Sequence, residues 1–350
     1  MGMLYHRQHL GRRRKTPEVV QIAGLPPQVL QGYEIEIKEG EKVKKCWRLK
    51  GVNSTYGLWE YQGDLKILDE VLEWRENLNK KGFTGFLPLS KTKGGKNYVQ
   101  SGQRAYYLTA WPEGVPFNLQ QDRSLGQVVE ALSVLHSYHK NWAVKKTAEQ
   151  TEKAEFVWLK AQQERLTKLL AFYRYLLEKR LANDYERLYV ESFEDFYRRG
   201  QEAIQKVVLA GCDTEDSCGK DFLVGNFLPD NLLETEKGIL FWETTYRQKG
   251  LSIQDLVLFL KMYLPLKKWD GKMAREMLVR YREKVDLNNQ EKQMFLAQFS
   301  FPGRYCFYAE QYFKGAEEVN TLSSKLMNYL YEVSGYDYCL EKLESWLLGE

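Results

Sequence analysis

Between residues 33 and 111 the apolar positions mostly alternate with polar ones, the signature of half-buried strands. Tyr33, Ile35 and Ile37 alternate with charged residues, a Glu39-Gly40-Glu41 turn follows, and Val43 to Lys50 reads as the returning strand. After Gly51-Val-Asn-Ser54, the run Thr55 to Tyr61 predicts a third strand and so an antiparallel meander. The period then changes. Leu65, Leu68, Val71, Leu72 and Leu78, with Asp69, Glu70, Glu73 and Arg75 between them, predict one amphipathic helix ending near Lys81-Gly82. Phe86 to Leu89, Asn97 to Gln100 and Arg104 to Trp111 return to strand character, with turns at Lys93-Gly-Gly-Lys96 and Ser101-Gly102.

Trp111-Pro-Glu-Gly114 breaks this pattern, and the chain beyond it is mainly helical. Ser124 is placed to cap a helix through Val128, Val129, Leu132, Leu135 and His136, where the histidine reads as a packed helix-end residue. From about 147 to 210 the pattern is almost continuously helical, with a break at Asn183-Asp184. Leu223 to Glu243 is different: an apolar strand, a Pro229-Asp-Asn231 turn, a Lys237-Gly238 hairpin tip and a second apolar strand ending in a carboxylate. This arrangement puts Asn226, Asn231 and Glu243 within reach of one another. The aromatic runs Phe299 to Tyr308 and Tyr329 to Tyr338 read as the core of a tyrosine-rich helical region. The pattern therefore predicts an α/β (α+β) bilobed fold, with a basic extension over 1–29, a small antiparallel lobe with one helix over 30–111, and a large helical lobe over 112–350.

Composition narrows this further. At 350 residues the chain can bury a large core, and 14% aromatic content with 23 Tyr and 9 Trp argues against disorder. Its 51 basic and 47 acidic residues nearly balance, so the charge demands neither nucleic acid nor a membrane surface. The local excess at Arg12-Arg13-Arg14-Lys15 reads as a solvated tail. Cys46, Cys212, Cys218, Cys306 and Cys339 are odd in number and lack CxxC spacing, which points to a reducing cytoplasm rather than a disulfide framework or a zinc site. No early apolar run resembles a signal peptide, and no apolar stretch is long enough to span a bilayer.

In phosphoryl transfer, a loop residue orients the attacking hydroxyl, an amide oxygen a few residues on holds a metal, and a further carboxylate holds the same metal. Leu223–Glu243 resembles the catalytic loop of the aminoglycoside phosphotransferase and choline kinase superfamily, His-Gly-Asp-x-x-Pro-x-Asn-x-Leu followed after a hairpin by Ile-Asp-Phe/Trp. Gly225, Phe227, Pro229, Asp230, Asn231, Leu232 and Leu233 match, while Val224 stands at the family's His, Asn226 at its catalytic Asp and Glu243 at its metal-binding Asp. Gly250-Leu-Ser-Ile-Gln-Asp255-Leu256 matches the family's Gly-x-x-x-x-Asp-Leu helix start at the family's spacing. A second register sets Asp221 as the catalytic Asp and Asn226 as the metal-binding Asn, and needs extra residues before Glu243.

The order of motifs is also similar to the spore-coat branch of that superfamily, the CotS type. The long helical insertion before the loop, Lys-Lys-Gly-Phe83, Tyr98-Val99 followed by Tyr106-Tyr107-Leu108, Trp111-x-Glu113-Gly114 and Ala131-Leu132-x-x-Leu135-His136 carry the likeness, over about residues 30 to 340. The resemblance implies a protein kinase-like fold. It also implies ATP and Mg²⁺ as cofactors, with a hinge at Trp111 and Glu113 for adenine, a strand lysine for the phosphates, a helix carboxylate at Glu70 or Glu73 to hold that lysine, and Asn231 with Glu243 for the metal. The Glu39-Gly40-Glu41 turn has one glycine where such a fold has several. By strand count the lysine position falls near Trp59 or Glu60, and Lys50, a strand lysine in a Leu-Lys context, reads first as a solvent-facing residue of the second strand.

These departures make a pseudokinase the leading expectation: a structural or scaffolding protein of the spore coat, made in the mother-cell cytoplasm, with other coat proteins as partners. The alternative is an ATP- and Mg-dependent phosphotransferase acting on a hydroxyl of a small molecule. Loss of the base alone removes roughly two to four orders of magnitude in rate.

Overall fold

The computed structural model describes residues 22–44, 46–118, 121–143, 157–211, 221–242 and 249–349. The chain divides into two compact units, one made of Met1–Glu76 with Leu87–Pro112 and the other of Asn77–Phe86 with Glu113–Glu350.

In the first unit a short helix α1 (Pro27–Gln31) opens at the Pro26-Pro27 break, with proline in the first turn, where its missing N–H costs nothing. Strands β1 (Ile37–Val43), β2 (Cys46–Gly51) and β3 (Thr55–Tyr61) form the expected meander. After helix α2 (Leu65–Lys80) come β4 (Leu89–Ser90), β5 (Tyr98–Ser101) and β6 (Arg104–Ala110). The sheet order is β1-β2-β3-β6-β4, with β5 also paired to β6 and every pairing antiparallel.

The first hairpin differs from its sequence reading. β1 runs straight through Glu39-Gly40-Glu41, and Val43 pairs with Cys46, so the chain reverses after Val43, with Lys44 left-handed at φ 54°. Gly40 serves close packing instead of a turn: a Cβ there would lie 2.5 Å from Ile22 Cδ1 and 2.8 Å from Leu49 Cδ2. Tyr33 precedes the strand and is buried, its hydroxyl donating to the Tyr106 carbonyl at 2.7 Å. One face of the sheet, with Trp47, Leu49, Leu58, Tyr106 and Leu108, packs on Ile22, Val29, Leu30 and Ile37.

The second unit has a three-stranded sheet, β10-β9-β7, from β7 (Val115–Pro116), β9 (Leu232–Thr235) and β10 (Gly238–Phe241). A two-stranded ladder joins β8 (Asp221–Phe222) to β11 (Lys249–Gly250). Its helices are α3 (Asp122–Ala143), α4 (Val157–Leu177), α5 (Asp184–Leu209), α6 (Ile253–Tyr263), α7 (Gly271–Arg282), α8 (Asn289–Ser300), α9 (Gly303–Lys314) and α10 (Val319–Leu348). Because α3 begins at Asp122, Ser124 lies inside its first turn rather than capping it.

The break between α4 and α5 is where the sequence puts it. Asn183 caps α5 by accepting from the Glu186 N–H at 3.0 Å, and the buried Glu186 carboxylate accepts from the Ala182 N–H, Lys179 and Tyr312. The aromatic runs form core in part: Phe301, Tyr305, Tyr308 and Tyr329 share one buried cluster with Tyr185, Tyr189, Phe193 and Phe196, while Phe307, Tyr331 and Tyr338 are exposed. Among the described residues no helix is long and apolar enough to cross a membrane.

Candidate functional site

The Leu223–Trp242 loop is built from its two ends. Pairing of Asp221 with Gly250 and Phe222 with Lys249 sets the loop entrance beside the start of α6. There Asp255, in the first helical turn and 1% exposed, accepts from the Val224 N–H at 2.7 Å and the Gly225 N–H at 2.8 Å. Charge-assisted bonds of this kind are about twice as strong as neutral ones. Gly225 adopts φ 62°, a left-handed conformation that a residue with a Cβ resists. Beneath Asp255, the buried His136 of α3 places Nε2 3.6 Å from the carboxylate and Nδ1 2.8 Å from the Tyr281 hydroxyl of α7. Sequence reading took this histidine as packing alone. The spacing gives no hint of its partners, since Asp255 and Tyr281 lie more than a hundred residues away.

Two further ties fix the rest of the loop. The Tyr263 hydroxyl donates to the Phe227 carbonyl, while the buried Phe227 ring packs edge-on against Phe241 and Phe259. Pro229–Asn231 forms a single 3₁₀ turn in which the Asn231 N–H donates to the Leu228 carbonyl at 2.8 Å. The Asn231 carbonyl then accepts from the Trp242 N–H, also at 2.8 Å. Asn231 is buried and Asn226 is partly buried. The tie to Trp242 brings the end of β10 against the Asn231 backbone; Glu243 lies outside the described residues. Asp221 sits in β8, on the incoming strand.

In the first unit, register places Arg48 opposite Gly57, Gly57 opposite Thr109, and Trp59 opposite Tyr107, all on the sheet face away from the apolar core. Trp59 Nε1 donates to Thr109 Oγ1 at 3.1 Å, and its ring stacks on Tyr107 with centroids 6.2 Å apart. The Arg48 guanidinium lies over Trp111 at 5.1 Å, and Arg75 lies over Tyr107 at 5.9 Å. Gly57 makes this layer possible, because a Cβ there would come within 3.2 Å of Thr109 Oγ1 and 3.3 Å of Trp59 Nε1.

The lysine and carboxylate candidates separate. Lys50 is exposed on β2 and pairs with Glu39 across the hairpin, a contact that holds the Glu39 carboxyl below its ordinary range. Glu41 lies 3.8 Å from Arg48 in the next same-face pair. Glu70 and Glu73 are exposed on α2. The charged residue that α2 turns inward is Arg75, 2% exposed, which donates to the Leu87 carbonyl at 3.1 Å. Sequence reading counted it among the polar positions of the helix. Of the hinge pair, Trp111 continues the β6 ladder through its N–H to the Thr55 carbonyl, and Glu113 is exposed.

Residues 27–222, more than half of the chain, match the family described as spore coat putative kinase YutH. The chain belongs to this family. The match covers the sheet unit and the helical insertion and stops at the loop entrance. No curated protein matches the sequence. Among solved structures, an aminoglycoside phosphotransferase from Alicyclobacillus acidocaldarius is similar over 95% of this chain and 98% of its own, with a TM-score of 0.77 at 17% identity. A spectinomycin phosphotransferase, APH(9)-Ia, solved with ADP and spectinomycin, is similar over 89% and 94%, with a TM-score of 0.51 at 10% identity. At these identities the likeness is one of fold. An antiparallel sheet unit followed by a larger helical unit is the kinase-like architecture of the phosphotransferases, and the YutH family places it among spore-coat proteins.

Proposed function

We propose that this YutH-family chain is a pseudokinase: a structural or scaffolding component of the spore coat that keeps the kinase-like fold and does not transfer phosphate. The observation that carries this reading is Trp59. It stands where strand count puts the phosphate-binding lysine, and its indole is hydrogen-bonded to Thr109 and stacked on Tyr107. Arg48 with Trp111 extends the same layer, so the sheet face against which a nucleotide would lie is occupied by the unit's own side chains. The glycine of this hairpin, Gly40, lies within β1 opposite Leu49 and not at the reversal, where a glycine would bring backbone N–H groups close to phosphates.

The loop chemistry agrees. The Asp255 clamp on Val224 and Gly225 links the loop to the Gly250–Leu256 motif, which supports the first register, with Asn226 at the position of the base. A neutral amide cannot take a proton from a hydroxyl at neutral pH. What the loop retains is its shape, held by Asp255, Tyr263 and Trp242.

Calorimetric titration of the whole chain with ATP and Mg²⁺ tests the reading. The expected result is no saturable heat at millimolar nucleotide and no phosphate transfer to aminoglycosides, choline or sugars. The intact loop favours a second reading, a working phosphotransferase, and micromolar ATP affinity with turnover on any of those acceptors would establish it.

A further inference from the structure

Helix α10 carries two seams. The inner one, with Leu322, Leu326, Tyr329, Tyr336, Leu343 and Leu347, is buried in the helical unit. A second set of positions, Met327, Tyr331, Ser334, Tyr338, Glu341 and Ser345, recurs at the alternating spacing of four and three residues that keeps side chains on one line of a helix. All six are exposed, Tyr331 by 77% and Tyr338 by 59%, so this outer line faces away from the core. From Met327 to Ser345 it runs about 27 Å at 1.5 Å per residue.

Charge decides what fits this line. It holds one charged residue, Glu341. The other charged residues of the stretch are answered within the chain: Asp337 by Arg199 and Glu344 by Lys206, both of α5, Glu332 by Arg304 of α9, and Lys325 by Glu317. Lys342 stands over the Tyr338 ring, 5.1 Å from its centroid. Two such lines placed parallel would set Glu341 against the partner's Glu341, a repulsive contact, and each tyrosine against its own copy. Antiparallel, with a two-fold axis between Glu332 and Val333, the line becomes complementary to itself. Tyr331 then falls opposite the partner's Ser334, a large ring against a small side chain. Met327 falls opposite the partner's Tyr338, a favourable thioether–ring contact. Glu341 falls opposite the partner's Ser324, one turn from the amide donors of the partner's Asn320.

We propose that the outer face of α10 is a homotypic docking surface along which two copies of this chain pair antiparallel. This is the isologous arrangement of most homodimers, and it does not depend on whether the chain transfers phosphate. A helix face of this length sits at the small end of specific interfaces, under roughly 1,200 Å² in total, so the dimer forms reversibly in the micromolar range.

Sedimentation velocity of the full chain over about 1–300 µM, the span in which such an interface equilibrates, tests the pairing. The wild type should pass from monomer to dimer across this range. Tyr331→Glu combined with Tyr338→Glu, both at exposed positions that spare the fold, should weaken the dimer at least about tenfold by setting like charges across the seam. Cross-linking reads the orientation. Met327→Cys combined with Tyr338→Cys should give a covalently linked dimer under diamide above the wild-type background, while each single variant stays at that background. Within one chain the two positions lie about 16 Å apart along the helix, beyond the reach of an internal disulfide. A wild type that stays monomeric to the top of the range, a dimer untouched by the two glutamates, a double-cysteine variant that stays unlinked, or single variants that link as readily as the double one overturns the inference.

Discussion

The most informative single substitution is Asp255→Asn. It preserves shape and removes the charge that accepts from Val224 at 2.7 Å and Gly225 at 2.8 Å in a site only 1% exposed. An amide can present its one oxygen to one of these N–H groups, which leaves the other facing an NH₂ donor. The loss combines the extra strength of one charge-assisted bond with one buried donor left unsatisfied, each worth roughly 1–3 kcal/mol, so about 2–6 kcal/mol in total. For a helical unit of this size each kcal/mol lowers Tm by roughly 2–4 °C, so a fall on the order of 4–24 °C is expected. Scanning calorimetry measures the fall, and hydrogen exchange locates it, with Val224 and Gly225 amides losing protection before the β9–β10 hairpin. A Tm within about 1 °C of wild type, or unchanged protection at both amides, would refute the argument that this carboxylate holds the loop.

Three other outcomes follow from the geometry. Gly225→Ala should cost about 1–2 kcal/mol through its φ of 62° alone, because nothing lies within 4 Å of the added Cβ, whereas Gly40→Ala should cost about 1–3 kcal/mol through collision with Ile22 and Leu49; chemical denaturation of both variants separates strain from overpacking. Burial alone would raise the Glu186 carboxyl, but the Ala182 N–H, Lys179 and Tyr312 together hold it below its ordinary value. It therefore contributes stability above the unfolded carboxyl range that is lost as pH falls through its folded pKa. Glu186→Gln should be less stable at pH 7 by about 1–3 kcal/mol, with the gap closing in acid, as denaturant titrations at several pH values would reveal. Trp59→Lys combined with Asn226→Asp and Glu243→Asp should raise Mg-dependent ATP affinity in calorimetry, while the two carboxylate changes made with Trp59 in place should do little.

Much of the architecture was legible in the sequence because it is written in local periods. Strand β3 matches the run Thr55–Tyr61 residue for residue, α2 follows its apolar spacing from Leu65, and the cap at Asn183 breaks the helical insertion where a short polar side chain can bond the next turn. The β9–β10 hairpin and the 3₁₀ turn at Pro229–Asn231 follow from turn residues between apolar pairs. What the sequence could not decide depends on who sits opposite whom. Gly40 looks like a turn until Ile22, eighteen residues earlier, is packed across it. Arg75 looks solvated until register brings Tyr107 beneath its guanidinium. Trp59 becomes part of a packed layer on the sheet only when β6 lays Tyr107 and Thr109 beside it. His136, Asp255 and Tyr281 meet only because α3, α6 and α7 pack together, and Lys261 reaches the carbonyls of Gln298, Phe299 and Phe301 only because α6 packs against α8. Local period fixes which segments are strand or helix through backbone sterics and side-chain entropy. The contacts that give a buried charge its meaning are set by long-range packing, and no window of sequence contains both partners.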